Sequence, residues 1–494
     1  MGKLKIALVN SHIEIFRAEP HGLLMIGAVL ENAGHHVVLY DRLFNDIDID
    51  EIADNDYDLI CFSVMTLTYF SAKKNIQQIR ARSNKNLIIV GGIHPSIFPK
   101  ESLQDLGADF AVIGEGEKTI IELVDVIFRD KKELVRVNGI AYFDNHRYIQ
   151  TQKRNIEKCL DNFPVPARHL LDMEKYLVPP GFIRGLFNYR IATVMTSRGC
   201  PFHCSFCPGG NSRYRQRSVE HVIKEIKILK QEYQIEGIHF IDENFCLDKN
   251  WLYSFCFEIH KENIKWSFES RVSQLNDTII KKIKKAGCVQ VDLGLESGSD
   301  KILRKIKKGI TTKEILEGCN LLRKNNMRFT TNMLVGCPDE TIVDLKKSYN
   351  LLRKIKPSFG VANFLTVLPG TSLYDEYYGK KMDMRLFDIK KDLSSNYYII
   401  SNISAVNDKD LIYYHAKIRN YFFGRALVGF FNRRYFLTLL KIINYFCLNL
   451  ELFIKSLFIV LIVRRERAVY KIVFDVFYEM QKQYYYKKTR KVSS

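Results

Sequence analysis

Five short apolar runs punctuate the first 130 residues: Ile6-Ala-Leu-Val9, Val37-Val-Leu-Tyr40, Leu59-Ile-Cys-Phe62, Leu87-Ile-Ile-Val90 and Phe110-Ala-Val-Ile113. Between them lie Leu23 to Asn32, Ala72 to Arg82 and Lys118 to Phe128, where apolar positions fall three or four apart. Runs of that length read as buried strands and that spacing as one face of a helix. Their alternation predicts an α/β fold, with a doubly wound, Rossmann-like parallel sheet carrying helices on both faces. From Ile191 the alternation resumes. Strands are expected at Ile191 to Met195, Ile238 to Asp242, Lys265 to Phe268, Val289 to Leu295, Arg328 to Leu334 and Val361 to Leu368. Helices are expected at Val219 to Tyr233, Lys249 to His260, Asp277 to Ala286, Thr312 to Lys324 and Ile342 to Ile355. Such units predict a partial, TIM-like (β/α)6 barrel whose ligands sit at the carboxyl ends of its strands.

Val137 to Ile149 reads as a hairpin around Asp144-Asn-His. The Pro-containing stretch from Asn162 to Gly185 carries Leu, Phe and Tyr that need burial, so it is expected to wrap between domains. The expected division is 1–135 for the first sheet domain, 136–190 for hairpin and linker, 191–372 for the barrel, and 373–494 for a basic, aromatic, mostly helical region.

Composition narrows the class. A chain of 494 residues needs two or three domains, and 47% hydrophobic with 26% charged residues is a globular balance. The opening apolar run is too short for a signal peptide, and eleven cysteines without export imply thiols and metal ligands in a reducing cytoplasm. Net charge is +19; residues 401–494 carry 17 Lys plus Arg against 6 Asp plus Glu, 17 − 6 = +11. Such an excess suits RNA, anionic lipid or an acidic substrate, and equally a Lys-rich solvated surface. The longest uninterrupted apolar run of the tail, Leu457 to Val463, is far below the ~20 residues of a membrane span. An amphipathic helix on anionic lipid, flanked by Arg464-Arg-Glu-Arg467 and Lys487-Lys-Thr-Arg-Lys491, and a helix packed on the barrel are the two readings of this region.

The candidate chemistry centres on Thr196-Ser-Arg-Gly-Cys200-Pro-Phe-His-Cys204-Ser-Phe-Cys207-Pro208, directly after the first barrel strand. Three thiolates on one loop can hold three irons of a [4Fe–4S] cluster and leave the fourth open. Structural zinc would need a fourth ligand, and His203, beside Cys204, is poorly placed to converge on the same ion. The other cysteines are scattered and read as small buried hydrophobes; Cys246 and Cys337, near strand ends, are the candidates for a catalytic thiol.

The loop resembles the Cys-x-x-x-Cys-x-aromatic-Cys signature of the radical S-adenosylmethionine enzymes, with Phe206 in the aromatic place. The resemblance implies that the open iron chelates S-adenosylmethionine and that one electron cleaves its sulfonium to a 5'-deoxyadenosyl radical. It extends to Asp242-Glu243-Asn-Phe at the second strand end, where the family binds the methionyl amino group, and to Glu269-Ser-Arg271 at the third. Gly294-Leu-Glu296-Ser297-Gly-Ser299 at the fourth, Leu334-Val-Gly-Cys-Pro-Asp339-Glu340 and Leu368-Pro-Gly-Thr371 continue it. Arg271 can meet the methionine carboxylate as a bidentate fork. Residues 1 to about 130 resemble the cobalamin-binding domain fused to one large subfamily, through Pro20-His-Gly-Leu-Leu, Ala33-Gly34, Gly91-Gly92-Ile-His-Pro95 and Ile113-Gly114-Glu-Gly116-Glu117. Asn10, Ser63, Gly91, Gly92, Gly114 and Gly116, at the strand ends, are the corrin-side candidates.

Two departures matter. The dinucleotide glycine fingerprint is absent. So is the Asp-x-His-x-x-Gly loop that gives cobalt a lower histidine in many B12 enzymes, since the chain reads Asn10-Ser-His-Ile-Glu-Ile; His21 and His94 are expected as turn or core histidines. The resemblance therefore implies cobalamin without a protein histidine ligand, or a domain that no longer holds it. The enzyme expected is a radical S-adenosylmethionine methyltransferase acting on an unactivated carbon of a small, lipid-like or natural-product substrate, with flavodoxin or ferredoxin as electron donor and a peripheral membrane contact. The alternatives are a cyclase of the anaerobic Mg-protoporphyrin type and an RNA-modifying methylthiotransferase. The latter needs three further amino-terminal cluster cysteines where residues 1–130 contain only Cys61, so nucleic acid is not expected as partner.

Overall fold

The computed structural model describes residues 2–11, 19–41, 49–83, 85–177, 190–383 and 402–430. Strands β1 (Lys5–Asn10), β2 (His36–Asp41), β3 (Leu59–Ser63), β4 (Leu87–Gly91) and β5 (Phe110–Val112) pair in parallel in the order β2-β1-β3-β4-β5. Alternating side chains divide between two layers, as the pleat requires. Ile6 and Leu8 pack with the side of the sheet covered by α1 (His21–Asn32) and α6 (Glu117–Arg129). Ala7 and Val9 face α2 (Ile49–Asp54), α3 (Tyr69–Arg82) and α5 (Pro99–Leu106), the last following the short α4 (Ile93–Ile97). This is the expected doubly wound sheet. The hairpin, however, does not belong to the linker: β6 (Ile140–Asp144) and β7 (Arg147–Gln150) add antiparallel to β5 through Ala111↔Ala141, so a division at residue 135 cuts a continuous seven-stranded sheet. The reason is physical, since β5 would otherwise present an unpaired edge.

The second sheet runs β8 (Ile191–Val194), β11 (Gly237–Phe240), β12 (Lys265–Ser270), β13 (Cys288–Glu296), β14 (Arg328–Val335) and β15 (Phe359–Phe364), all parallel and in chain order. The two-residue strands β9 (Ser197–Arg198) and β10 (Arg215–Gln216) form a separate ladder above β8. Helices α7 (Val219–Tyr233), α8 (Lys249–Lys261), α9 (Asp277–Lys285), α10 (Asp300–Lys305), α11 (Thr312–Lys324) and α12 (Ile342–Ile355) supply the outer layer, with α13 (Ser372–Tyr378) following β15. One pleat face is apolar: Val194, Phe240, Trp266, Phe268, Val291 and Leu293 join the helix-covered core. The opposite face is polar. His239 Nδ1 bonds Ser267 Oγ at 2.8 Å, and Asp292 accepts from Gln290 at 2.7 Å and Thr330 at 2.6 Å.

The linker binds the two sheets together. Arg168, buried, donates to Glu19 Oε2 at 2.7 Å and to the Thr193 carbonyl at 2.8 Å, and lies 2.7 Å from Glu225 of α7. Glu225 in turn meets Arg217 at 2.5 Å. Of the carboxyl-terminal region, α14 (Asp408–Phe430) is described and packs on β15: His415 Nε2 meets the Ala362 carbonyl at 2.8 Å and its ring stacks on Phe364. The apolar and basic stretches from Leu437 onward lie outside the described residues. No helix among the described residues is long and apolar enough to cross a membrane.

His21 and His94 are core histidines. Burial lowers each to about 4; His21 bonds Thr193 Oγ1 at 2.7 Å, and His94, fully buried, bonds Thr66 Oγ1 at 3.1 Å. An imidazole neutral in the folded chain but free to protonate when unfolded costs stability as pH falls from about 6.5 toward 4. Wild-type protein is expected to lose ~2 kcal/mol more than His94→Gln between pH 7 and pH 5; equal losses in urea titrations at the two pH values would refute the assignment.

Candidate active site

The cysteine loop is braced by the chain's own hydrogen bonds. Its entrance is clamped by Asp242, just past β11, whose carboxylate accepts from the Thr196 amide at 3.1 Å, from Thr196 Oγ1 at 2.7 Å and from Ser197 Oγ. Burial raises its pKa in spite of these bonds. Arg198 and Arg215 face one another across the β9–β10 ladder and close the base of the loop. Inside, Ser212 Oγ accepts from the Cys200 amide at 2.9 Å and donates to the Gly209 carbonyl at 2.6 Å. Gly199 has φ +86°, and a Cβ there would stand 2.4 Å from the Arg213 carbonyl oxygen, so only glycine lets the chain turn into the loop.

Cys200, Cys204 and Cys207 are half-buried free thiols near enough to influence one another electrostatically. Burial raises Cys200 and Cys207, while the Phe202 amide at Cys200 and the Gly209 and Gly210 amides at Cys207 favour thiolate. Arg271, after β12, points Nη1 at Cys204 Sγ from 3.4 Å and lays its guanidinium 3.9 Å from the Phe202 ring. Its Nη2 also donates to the Lys308 carbonyl. A cluster spreads its thiolates over separate irons, and a cation beside one sulfur suits its negative charge.

The remaining predicted residues divide. Glu243 lies against the loop, since a Cβ on Gly209 would sit 2.2 Å from its Oε1; desolvation and the Asp242 charge raise its pKa although the side chain is exposed. Glu269 is exposed on β12. Glu296 ends β13 at a register shift with φ +66°, and its Oε1 accepts from Lys308 Nζ at 2.8 Å, a fully interior pair that lies beside Phe206. Asp242 and Ser297 depart from their expected contact roles: Asp242 is consumed by the loop entrance, and the buried Ser297 Oγ is engaged with Ser348 at 3.3 Å and the Ser299 amide at 3.2 Å. Phe206 is a wedge rather than a ligand group, packing on a cluster that includes Phe98, Ile306, Cys337 and Leu365. The interior place of Lys308 is concealed in the sequence, because Ile306-Lys-Lys-Gly309 reads as an ordinary charged surface run. Cys246 and Cys337 are buried with thiols pushed far up by desolvation, as core residues are.

The carboxyl edge of the first sheet forms a shelf. Gly92, φ +103°, holds the β4 turn so close that a Cβ would meet the Val64 carbonyl oxygen at 2.8 Å, whereas Gly114, φ +83°, has nothing within 4 Å of that position. Met65, Leu67 and Ile93 are exposed in the segments that directly follow β3 and β4. Exposed apolar side chains beside open backbone fit a large, flat ligand with an apolar face. Ser63 and Gly91 lie half-buried under this shelf, and Gly116 caps α6 with Ile26 beneath it. Asn10 instead turns sideways and donates to Asp41 Oδ1 at 3.0 Å. His12 lies outside the described residues.

Comparison with known proteins bears on both sites. Residues 194–352 match the Radical SAM superfamily and residues 16–124 the B12 binding domain. An uncharacterized methyltransferase of Pyrococcus horikoshii is 32% identical over 72% of this chain and 78% of its own length. The chain is a radical SAM enzyme with a B12 binding domain. The anaerobic magnesium-protoporphyrin IX monomethyl ester cyclase of Rubrivivax gelatinosus is 26% identical, over 75% of this chain and 68% of its own. Among solved structures, the radical S-adenosylmethionine methyltransferase TsrM of Kitasatospora setae shares the fold with a TM-score of 0.64, at 19% identity over 76% of each chain.

The cofactors of this radical SAM enzyme are thus a [4Fe–4S] cluster, S-adenosylmethionine and cobalamin, and the residues fit them. Three thiolates with amide donors can hold the cluster; Glu243 lies against the loop at Gly209, Arg271 points at Cys204 and the Glu296–Lys308 pair lies beside Phe206; the apolar shelf suits the corrin. Replacing any of Cys200, Cys204 or Cys207 by Ala is expected to abolish retained iron after anaerobic reconstitution, while Cys246→Ala retains it. Asp242→Asn is expected to destabilise the loop by ~1–3 kcal/mol and lower iron retention, leaving the S-adenosylmethionine affinity of cluster-replete molecules unchanged. Iron analysis and calorimetric titration separate these effects, and a weakened affinity at full iron occupancy would return Asp242 to the ligand set.

Proposed function

We propose that this enzyme transfers a methyl group to an unactivated carbon of a small molecule. The observation that carries the reading is the meeting of the two carboxyl edges: the Gly114–Glu117 loop beside the corrin shelf touches the arginines that bracket the cysteine loop. Together the cofactors supply one-electron cleavage of the sulfonium, a hydrogen-abstracting radical and a transferable methyl group. The chain's residues divide the rest of the task. Cys200, Cys204 and Cys207 hold the cluster and leave one iron for the amino acid end of S-adenosylmethionine. Glu243, lying on Gly209, is placed to meet the methionyl ammonium. Arg271 offers its Nε, buried and without a partner, to the carboxylate side. Glu269 and the Glu296–Lys308 pair are the groups for ribose hydroxyls. Phe206 and its apolar neighbours keep water from the back of the cluster, where it would quench a radical and weaken these charge contacts.

Support for methyl transfer over cyclisation comes from the relative with the highest identity given above. A flavodoxin or ferredoxin is the electron donor that fits a low-potential cluster. The basic carboxyl-terminal segment supplies a peripheral contact with anionic lipid.

Reduced, reconstituted enzyme is expected to retain one hydroxocobalamin and four irons per chain, and to release both 5'-deoxyadenosine and S-adenosylhomocysteine. Release of 5'-deoxyadenosine alone, with cobalamin bound, would move the assignment to cyclisation or rearrangement. Sedimentation with phosphatidylserine vesicles should weaken steeply with salt; a chain that stays in the supernatant at low salt has no such lipid contact.

A further inference from the structure

The cysteine loop is closed by an arrangement that is unfavourable on its own. Arg198 and Arg215 stand directly opposite across a two-residue antiparallel ladder, and like charges at such a pair repel. Their compensation comes from the other domain. Glu115 grips Arg215 through both oxygens, one at 2.9 Å, and lies 3.6 Å from Arg198 Nη1. Glu117 accepts from Arg198 Nη2 at 2.6 Å. Arg215 also donates to the Glu157 carbonyl at 2.7 Å, and Arg198 lies over the Phe163 ring. Arg215 and Glu117 are almost wholly buried, so solvent screens these pairs little.

Placement gives the cluster of charges its meaning. Glu115 sits between Gly114 and Gly116 on the corrin side, and Arg198 lies two residues before Cys200 on the other. Glu19, Arg168 and Glu225 already join the two sheets through β8, so the Glu115 and Glu117 pairs are not needed merely to hold the domains together. We propose that Glu115 and Glu117 with Arg198 and Arg215 are positioning residues, a latch that closes the ladder under the cysteine loop and fixes the separation between corrin and cluster. It rests on the cofactor places assigned above. The carboxylates reach the ladder from the loop between Gly114 and Glu117, and a corrin on the shelf would hold that loop in place. Occupancy of the shelf is thereby coupled to order in the cysteine loop.

The test uses the full, reconstituted chain and the double variant Glu115→Gln/Glu117→Gln, which keeps shape and removes charge. Hydrogen–deuterium exchange at residues 197–216 should slow about fivefold or more on adding hydroxocobalamin to wild type, the lower end of usual coupling between sites. The variant should bind cobalamin and four irons yet lose that slowing. The magnetic interaction between cob(II)alamin and the reduced cluster, resolved by electron paramagnetic resonance in wild type, should smear into a distribution in the variant. Unchanged slowing or an unchanged interaction would overturn the latch. Without cofactor, the variant alone should already raise exchange at 197–198 and 215–216; no rise refutes the latch independently. Failure of wild type to bind hydroxocobalamin would overturn the cofactor assignment instead, and the two failures are distinct.

Discussion

Everything at the cleft depends on a chain of charge buried where the two sheets meet. Glu19, Arg168, Glu225 and Arg217 alternate in sign from the first domain through the linker to the barrel. Burial alone would raise Glu225, but Arg168 and Arg217 hold it down to about 2. Such a network is costly to desolvate and far costlier to break, since a single lost partner leaves a charge stranded in the interior. It therefore selects one docking arrangement more than it adds stability. Glu19 Oε1 also accepts from the Thr193 amide at 2.9 Å, so the network ends on β8, the strand that launches the cysteine loop.

From that anchor the cleft is assembled by short, rigid links. Asp242 ties the loop entrance to the end of β11, the Ser205 amide donates to the Ile306 carbonyl at 3.0 Å, and Leu373 donates back to the Ser205 carbonyl at 3.0 Å. The cysteines are thus suspended between the first, second, fourth and last strand ends of the barrel. Cross-bracing of this kind fixes where the three thiols can lie relative to the strand ends, which is what orientation of a bound group requires.

Much of this was legible in the chain, and the reasons differ by element. Helices α7, α11 and α12 begin where their periodicity predicts because Ser218, Thr311 and Thr341 cap their first turns through side-chain oxygens. The two parallel sheets followed from the alternation of strands and helices, whereas the hairpin's membership of the first sheet did not: nothing local in Ile140–Gln150 tells which edge it will cover. Residue types at strand ends announced a polar site, but not which carboxylate faces it. Asp242 and Glu243 are adjacent and point to opposite duties, because the amides of Thr196 and Ser197 reach one of them and Gly209 leaves room for the other. Lys308 was hidden for the same reason, its burial being created by Glu296 across the bulge.

Phe206 packs on a cluster to which the two domains contribute together: Ile97 and Phe98 come from the first, Leu365, Val367 and Leu373 from the barrel. The aromatic place of the cysteine motif is thus an interdomain contact. Iron binding is folding free energy wherever it orders the loop that carries the ligands. Phe206 stands one residue before Cys207, so a shift of the ligand loop is felt directly where the two domains pack.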